Sequence, residues 1–172
     1  MNILKFGLMS FFTCILIMSC GGEKKKEKES FSYENKSQVK EEVKEDSNLA
    51  NVVLVGDDGM KFDKTEIKVK VGQKVKLTLR HKGKMDINVM GHNVVILNKG
   101  VNVAAFAVKA GASRDTKYIP GDSGEDIIAH TDLIGGGQTT SIEFDAPEAG
   151  IYDFICSFPG HYAIMKGKFI VE

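Results

Sequence analysis

The sequence predicts an all-β fold over residues 49–172, an antiparallel Greek-key β-sandwich with one short inserted helix. Three observations predict it: short runs of alternating apolar and polar residues, glycine-containing turns between those runs, and one alanine-rich segment that breaks the alternation. The chain has 172 residues, of which 42% are hydrophobic and 27% charged. That composition suffices for one domain with a substantial core and additional segments.

The clearest strand pattern lies on both sides of a turn at Gly72. Apolar residues there alternate with polar ones and are predicted to share a buried face, namely Ile67, Val69, Val71, Val75, Leu77 and Leu79. Shorter alternating runs at 142–145, 152–156 and 168–171 predict later strands. Residues 102–110 are instead alanine-rich and begin with an asparagine, so we predict a short helix capped by Asn102.

The first 48 residues differ in composition from the predicted domain. Residues 1–19 contain a lysine followed by an apolar stretch of signal-peptide length, and the residues leading to Cys20 resemble a bacterial lipobox. We therefore expect cleavage before Cys20 and a lipid anchor on that cysteine, with an ordinary secretory signal as the alternative. Residues 20–48 are rich in lysine and glutamate, which predicts a disordered, solvated tether or a short charged helix.

Charge and cysteine content limit the functional classes. Lys and Arg together number 23, as do Asp and Glu, so no basic excess indicates nucleic-acid binding. Of the three cysteines, Cys14 lies in the predicted signal peptide and Cys20 at the lipobox, which leaves Cys156 without a disulfide partner. A single thiol in an oxidising compartment is expected to be buried or bound to another group.

Candidate metal ligands are concentrated in two segments, VMGHN at 89–93 and CSFPGHYAIMKG at 156–167. Thiolate and thioether ligands favour Cu(I), imidazole serves both oxidation states, and the combination matches the pattern of blue-copper sites. A Pro-Gly turn in the second segment is expected to return its histidine towards its cysteine. We predict one copper ion with five ligands: His92, Cys156 and His161 in a plane, Met165 as a weak axial ligand and the Gly91 carbonyl opposite it.

These segments resemble azurins, a family of small blue-copper electron carriers with the cupredoxin fold. The spacing C-x4-H-x3-M from Cys156 is the azurin form, and DDGMKFDKTEIKV at 57–69 and DIIAHTDLIGGGQTTSIEFDAP at 126–147 resemble other azurin strands. The resemblance covers residues 50–172. The chain departs from the family in having no cysteine between 21 and 155 for its usual disulfide, and no tryptophan.

The resemblance also implies roles for residues around the metal. Asn93 is expected to tie the two ligand segments together, and amides near Ser157 and Phe158 to point at the cysteine sulfur. His81 occupies the position of a redox-linked buried histidine in some azurins, although we favour a packed or surface histidine without that role. An apolar docking patch is expected around the second histidine ligand, formed by Met60, Val89, Met90, Phe158, Pro159, Ala163 and Ile164.

We therefore expect a one-electron carrier rather than an enzyme, with no small-molecule substrate and with transfer through the edge of His161. The resemblance implies redox partners such as c-type cytochromes, terminal reductases or peroxidases. The expected location is the periplasm or the surface of a bacterium, at a membrane through the lipid on Cys20. Copper buffering or delivery with the same ligands is the main alternative, and a metal-free adhesion or assembly module is the other.

Overall fold

The computed structural model describes residues 48–172, so the predicted signal peptide, Cys20 and the tether up to residue 47 lie outside the described residues. Within the described part, no helix has both the length and the apolar character needed to cross a membrane. The strands are β1 (Leu49–Gly56), β2 (Glu66–Val69), β3 (Lys74–His81), β4 (Val95–Leu97), β5 (Ile127–His130), β6 (Thr139–Asp145), β7 (Gly150–Ile155) and β8 (Lys166–Val171). The helices are α1 (Ile87–Met90) and α2 (Val103–Ala112), with 3-10 turns at Arg114–Thr116 and His161–Ala163.

The strands form two sheets, one in the order β1-β3-β6 and one in the order β2-β8-β7-β4-β5. The all-β prediction is confirmed, but the sheets are not purely antiparallel as expected. β1 pairs with β3 and β2 with β8 in parallel, whereas the pairings β3–β6, β4–β5, β4–β7 and β7–β8 are antiparallel. Alternation along a strand identifies its buried face and does not record the direction of its neighbour, so the sequence pattern missed the parallel pairs.

The main hydrophobic cluster joins the two sheets and contains the residues predicted from the alternation. Ile67, Val75 and Leu77 are at most 4% exposed and pack with Phe154 and Phe169 from the other part of the sequence. Val71 contradicts the prediction. It is 55% exposed because β2 ends at Val69 and the chain turns before Val71 can face the core.

The predicted helix is confirmed as α2. The side chain of Asn102 accepts a hydrogen bond from the Ala105 amide at 3.0 Å, which satisfies one of the free amides of the first turn. Phe106 and Ala110 of α2 pack against Val95, Leu97 and Ile155. Because Val94 and Ile96 face the cluster between the sheets, β4 is buried on both sides and is held firmly in place.

The register of β4 and β7 places the two ligand segments at one end of the sandwich. These strands are antiparallel, with Val95 opposite Ile155. The residues just before β4 therefore lie beside the residues just after β7, which are residues 92–94 and 156–158. The chain from Cys156 to Met165 then connects β7 to its other neighbour, β8.

Candidate metal centre

His92, Cys156 and His161 converge at this end of the sandwich. Their ligand atoms all lie within 4.8 Å of one another, the one such group of three or more His, Cys, Asp or Glu side chains among residues 48–172. His92 and Cys156 are fully buried and His161 is 3% exposed. The three predicted planar ligands are thus brought together from two segments more than 60 residues apart, and the protein shields them almost completely from solvent.

Backbone hydrogen bonds close the segment that follows β7. The Cys156 amide donates to the Met165 carbonyl at 2.9 Å, and the Met165 amide donates to the His161 carbonyl at 2.8 Å. The reversal occurs at Gly160, whose φ of 82° lies in the left-handed region that glycine adopts readily. As a result, His161 is returned towards Cys156, and Met165 leads directly into β8.

His92 is fixed by its backbone and by a close contact of its ring. It exchanges two hydrogen bonds of 2.9 Å with Ile134. A side chain at Gly56 would place its Cβ only 2.7 Å from Cδ2 of the His92 ring. Gly56 therefore has to be a glycine for the imidazole to fit, a requirement that the sequence pattern did not reveal.

The ring of His92 lies between two backbone carbonyls. Its Nε2 is 2.9 Å from the Asp57 oxygen and its Nδ1 is 3.0 Å from the Gly91 oxygen. Burial, the largest influence, lowers the pKa of His92, so the ring is neutral near pH 7 and has one N–H to donate. In either tautomer, the ring nitrogen without a hydrogen faces a carbonyl oxygen, so two lone pairs repel each other. A cation bound at Nδ1 would remove this repulsion, because the N–H at Nε2 could then donate to the Asp57 oxygen.

Cys156 is a fully buried thiol that lies close to the other candidate ligand atoms. Burial raises the pKa of its thiol to about 11, and backbone hydrogen bonds from Asn93 and Phe158 offset part of that effect. Its Sγ lies 3.6 Å from Nδ1 of His161 and 3.9 Å from the Gly91 oxygen. A buried thiolate is stabilised when a metal cation replaces its proton.

One predicted contact to the sulfur differs in the structure. The Ser157 amide does not point at Cys156, because it donates to Oδ1 of the Asn93 side chain at 2.9 Å. The amide of Asn93 acts on the sulfur instead, together with that of Phe158. The expectation therefore fails for Ser157 only, since Phe158 was predicted, and the additional amide of Asn93 was not recognised because the sequence gives no information on how close residue 93 comes to the thiol.

His161 is held neutral by its surroundings. Burial first, and then the nearby His92 and His81, lower the pKa of its imidazole to about 4. The ring of Phe158 lies over it, with 4.6 Å between ring centroids. His161 therefore presents a lone pair to the site at neutral pH, which is the protonation state that a metal ligand requires.

The two predicted weak ligands lie in the same region. Met165 is fully buried in a cluster with Cys156, Phe158 and Tyr118. A Cβ at Gly91 would lie 2.5 Å from the Ile87 oxygen and 2.9 Å from the Phe158 ring. Only glycine lets the backbone at residue 91 come this close to the aromatic wall of the site.

A buried hydrogen-bond network connects the ligand segments. Nδ2 of Asn93 donates to the Ser157 hydroxyl at 2.8 Å, and that hydroxyl donates to the Tyr118 carbonyl at 2.8 Å. Tyr118 was not identified from the sequence, and neither was its neighbour Lys117. Both residues have a positive φ, 55° for Lys117 and 66° for Tyr118, which is uncommon outside glycine and had no recognisable signal in the sequence.

His81 is buried beside the site. It is 1% exposed, its ring centroid lies 4.2 Å from that of His92, and its Nε2 is 3.2 Å from a carboxylate oxygen of Asp58. Among the described residues its Nδ1 has no hydrogen-bond partner. His81 was expected to be either packed inside the protein or at the surface, and the structure shows that it is packed inside.

Most of the predicted docking patch is accessible. Val89 is 63% and Ile164 56% exposed, Pro159 and Ala163 are exposed, and Met60 and Met90 are half-buried. Phe158 differs from the expectation, because it is only 8% exposed. Its ring packs edge-on against Tyr118 and over His161, so it forms a wall of the site rather than part of its outer surface.

A β-sandwich with a buried His–Cys–His group and a buried methionine beside it at one end has the fold and the donor set of a blue-copper protein of the cupredoxin class. Comparison with known families identifies the group more closely. Residues 50–172 match the copper binding proteins of the plastocyanin/azurin family, and the chain belongs to that family. Its cofactor is one copper ion, as predicted, and the azurin type of the protein is confirmed by its relatives.

Three relatives define the similarity. Azurin-1 of Alcaligenes xylosoxydans xylosoxydans is 42% identical over 121 residues, which are 68% of this chain and 93% of that protein. The outer membrane protein H.8 of Neisseria gonorrhoeae is 40% identical over 114 residues, 64% of this chain and 61% of that protein. The structure of auracyanin A of Chloroflexus aurantiacus, described as a "blue" copper protein, has a TM-score of 0.63 and 34% identity, covering 72% of this chain and 99% of that one.

Proposed function

We propose that this protein carries single electrons between redox proteins outside the cytoplasm, using copper held by His92, Cys156 and His161. The observation that carries the proposal is the convergence of two neutral imidazoles and one thiol in a nearly closed site. Met165 and the Gly91 carbonyl, which lie in the same region, would be the weak ligands. When bound, the copper supplies a one-electron cycle between Cu(II) and Cu(I), in which no substrate is transformed.

The protein's contribution is a rigid arrangement of ligands. Cys156 is held by the Met165 carbonyl, His92 by Ile134, and the two segments by the Asn93–Ser157 hydrogen bonds. None of these contacts involves the metal, so they persist in both oxidation states. Ligands that are fixed in advance need little rearrangement when an electron arrives, which favours rapid transfer.

We infer that electrons pass through His161, the least deeply buried of the three ligands. The exposed residues Val89, Pro159, Ala163 and Ile164 belong to the apolar patch expected around this ligand. An apolar surface without buried ion pairs suits a transient encounter with a partner that must be released quickly. Partners of the kind implied by the azurin resemblance are c-type cytochromes, terminal reductases and peroxidases.

We also propose that lipid on Cys20 anchors the protein to a membrane facing the periplasm or the cell surface. Support comes from the lipobox-like residues before Cys20 and from the similarity to a protein described as an outer membrane protein. Replacing Cys20→Ser should release the protein from the membrane fraction and prevent incorporation of labelled palmitate. A variant that remains in the membrane fraction would contradict the anchor without affecting the copper proposal.

The copper proposal is tested by visible absorption. The wild-type protein loaded with Cu(II) should absorb intensely through charge transfer from the Cys156 thiolate to the metal. Cys156→Ser should abolish that band, whereas Val108→Ser, a control at an exposed site on α2, should retain it. A colourless wild-type Cu(II) protein would refute the proposal.

Copper delivery, the alternative, requires the metal to leave readily for an acceptor. The three ligand side chains are at most 3% exposed, so copper should be lost slowly to a moderate chelator. Complete loss within seconds at neutral pH would favour delivery over electron transport.

A further inference from the structure

A shallow groove lies on the surface between α1 and the 3-10 turn at Arg114–Thr116. It encloses about 190 Å³, and its lining consists of Ile87, Asn88, Arg114, Lys117, Tyr118 and Leu133. That volume is below the roughly 300–1,000 Å³ of typical small-molecule sites, so the groove suits a single side chain or a small anion.

The two charged side chains that line the groove are both cationic. Arg114 and Lys117 are exposed, and within residues 48–172 neither forms an ion pair. The lining contains no acidic side chain, although Asp86, Asp115 and Asp132 are close in sequence and Asp86 accepts hydrogen bonds from Asn88. Two unpaired cations at one concave surface attract carboxylates and orient an approaching acidic protein.

The floor of the groove leads to the copper ligands through aromatic contacts. Tyr118 is only 9% exposed and packs edge-on against Phe158, with 5.0 Å between the ring centroids. Phe158 in turn lies 4.6 Å from His161, centroid to centroid. The Tyr118 carbonyl also accepts the hydrogen bond of Ser157, the residue next to Cys156.

The turn that builds this contact is conformationally costly. Lys117 and Tyr118 both adopt left-handed backbone angles, which non-glycine residues avoid because they crowd the side chain. This conformation places a cation at the rim of the groove and the adjacent tyrosine ring against the copper site. Such conformations persist where the surrounding structure enforces them, often at functional sites.

We propose that this groove, here called the Arg114 groove, is a second docking site, which receives a carboxylate-rich face of a redox partner. One electron leaves the Cu(I) form of the protein by way of Phe158 and Tyr118 and reduces the partner's oxidised centre, so the protein is oxidised to its Cu(II) form and no bond changes. The site rests on the proposed electron-carrier function and differs from the apolar patch in its charge and residues. The carrier therefore has a charged face and an apolar face for two different kinds of partner.

Binding is tested with hexacyanochromate(III), a paramagnetic anion that does not exchange electrons with the protein under these conditions. Added to the Cu(I) holoprotein, it should broaden the amide NMR signals of Asn88, Lys117 and Leu133 more than that of Ile164. The double variant Arg114→Gln/Lys117→Gln should weaken this broadening by about fivefold or more. The control variant Lys68→Gln/Lys70→Gln also removes two positive charges, one in strand β2 and one just after it. It should leave the broadening unchanged.

Electron transfer is tested with two oxidants of opposite charge on the Cu(I) holoprotein. Oxidation by anionic hexacyanoferrate(III) should slow by about tenfold at low ionic strength in Arg114→Gln/Lys117→Gln, but not in the control pair. Oxidation by cationic tris(phenanthroline)cobalt(III) should not slow in either. Tyr118→Leu should lower the ratio of the anionic to the cationic rate, because it removes only the route that starts at the groove. A general disturbance of the copper site would slow both reactions and leave the ratio unchanged.

The site is refuted if the anion broadens the apolar patch instead, or if the two charge variants slow hexacyanoferrate(III) equally. An unchanged rate ratio in Tyr118→Leu refutes the route through that ring. In each of these cases the wild-type protein would still show its blue absorption and bleach on reduction, so the electron-carrier function would stand. A protein without that absorption would instead remove the basis of both proposals.

Discussion

The interior of this protein contains two regions that are stabilised in different ways. Between the sheets, side chains such as Leu77, Phe154 and Phe169 are apolar and at most 1% exposed. At the copper end, the side chains of His92 and His161 are almost equally buried but polar. Apolar burial is favourable in itself, whereas a buried polar group is costly unless it has a hydrogen-bond partner or a bound cation.

The buried polar groups at the copper end therefore reduce the stability of the metal-free protein but provide the ligands that its function requires. Removing an apolar side chain should reduce stability and leave the copper site intact, whereas changes at the copper end should alter protonation, hydrogen bonding and the metal together. The predictions that follow separate the two regions, beginning with the largest expected effect.

Phe169→Ala should lower the free energy of unfolding of the metal-free protein by about 4 kcal/mol, because it removes a large buried ring and leaves a cavity. Phe169 packs against Phe144 in the cluster between the sheets, away from the metal ligands. Denaturant unfolding measures the loss, and the visible band of the copper form should keep its position. A displaced band would show that the two regions are not independent.

The stability of the metal-free protein should fall as the pH is lowered from about 7 to 4. The pKa of His161 is about 4 in the folded protein, below its ordinary value of 6.5, so between these values the unfolded chain binds the proton more strongly. The expected loss from this residue is on the order of 3 kcal/mol. His161→Gln should flatten the pH profile of unfolding in this range, and an unchanged profile would contradict the account of a buried, neutral imidazole.

Asn93→Ala should lower the free energy of unfolding by about 2 kcal/mol, since it leaves the Ser157 amide without a buried partner. Ser157→Ala removes the matching hydroxyl. In a double-mutant cycle, the two changes should be coupled by about 1 kcal/mol, as expected for residues in one network. Additive effects would mean that the Asn93–Ser157 contact does not stabilise the ligand segments.

Ile164→Asp should change stability by less than about 0.5 kcal/mol, because the side chain is 56% exposed. It should slow electron self-exchange between oxidised and reduced copies by about tenfold, since two like charges would face each other across the apolar patch. Val108→Asp, at an exposed apolar residue on α2, is the matched control. NMR line broadening measures the exchange rate, and equal effects of the two variants would exclude the patch as the contact surface.

Much of the fold could be predicted because local patterns encode it. Alternation identified the buried faces of β2 and β3, and an asparagine before an alanine-rich run identified the start of α2. The parallel pairings and the early end of β2 before Val71 depend on which strands meet, which no local pattern specifies. These are consequences of tertiary packing.

Some features of the candidate site could also be predicted from local sequence, whereas others depend on tertiary contacts. The spacing of Cys156 and His161 indicated their convergence, because a short loop with a Pro-Gly turn constrains both. Sequence patterns could not indicate the buried position of Phe158 or the left-handed conformation of Tyr118, since each results from contacts with a distant segment. The need for glycine at Gly56 likewise becomes visible only when the His92 ring lies against it.

X-ray absorption at the copper edge tests the central claim most directly, because it reports the metal's ligands in both oxidation states of the same protein. The account predicts one sulfur at short distance and two imidazole nitrogens in the Cu(II) form, with the same set and nearly the same distances after reduction to Cu(I). Loss of the sulfur or of an imidazole on reduction, or a Cu(II) spectrum without a short sulfur contact, would contradict a rigid site built from His92, Cys156 and His161.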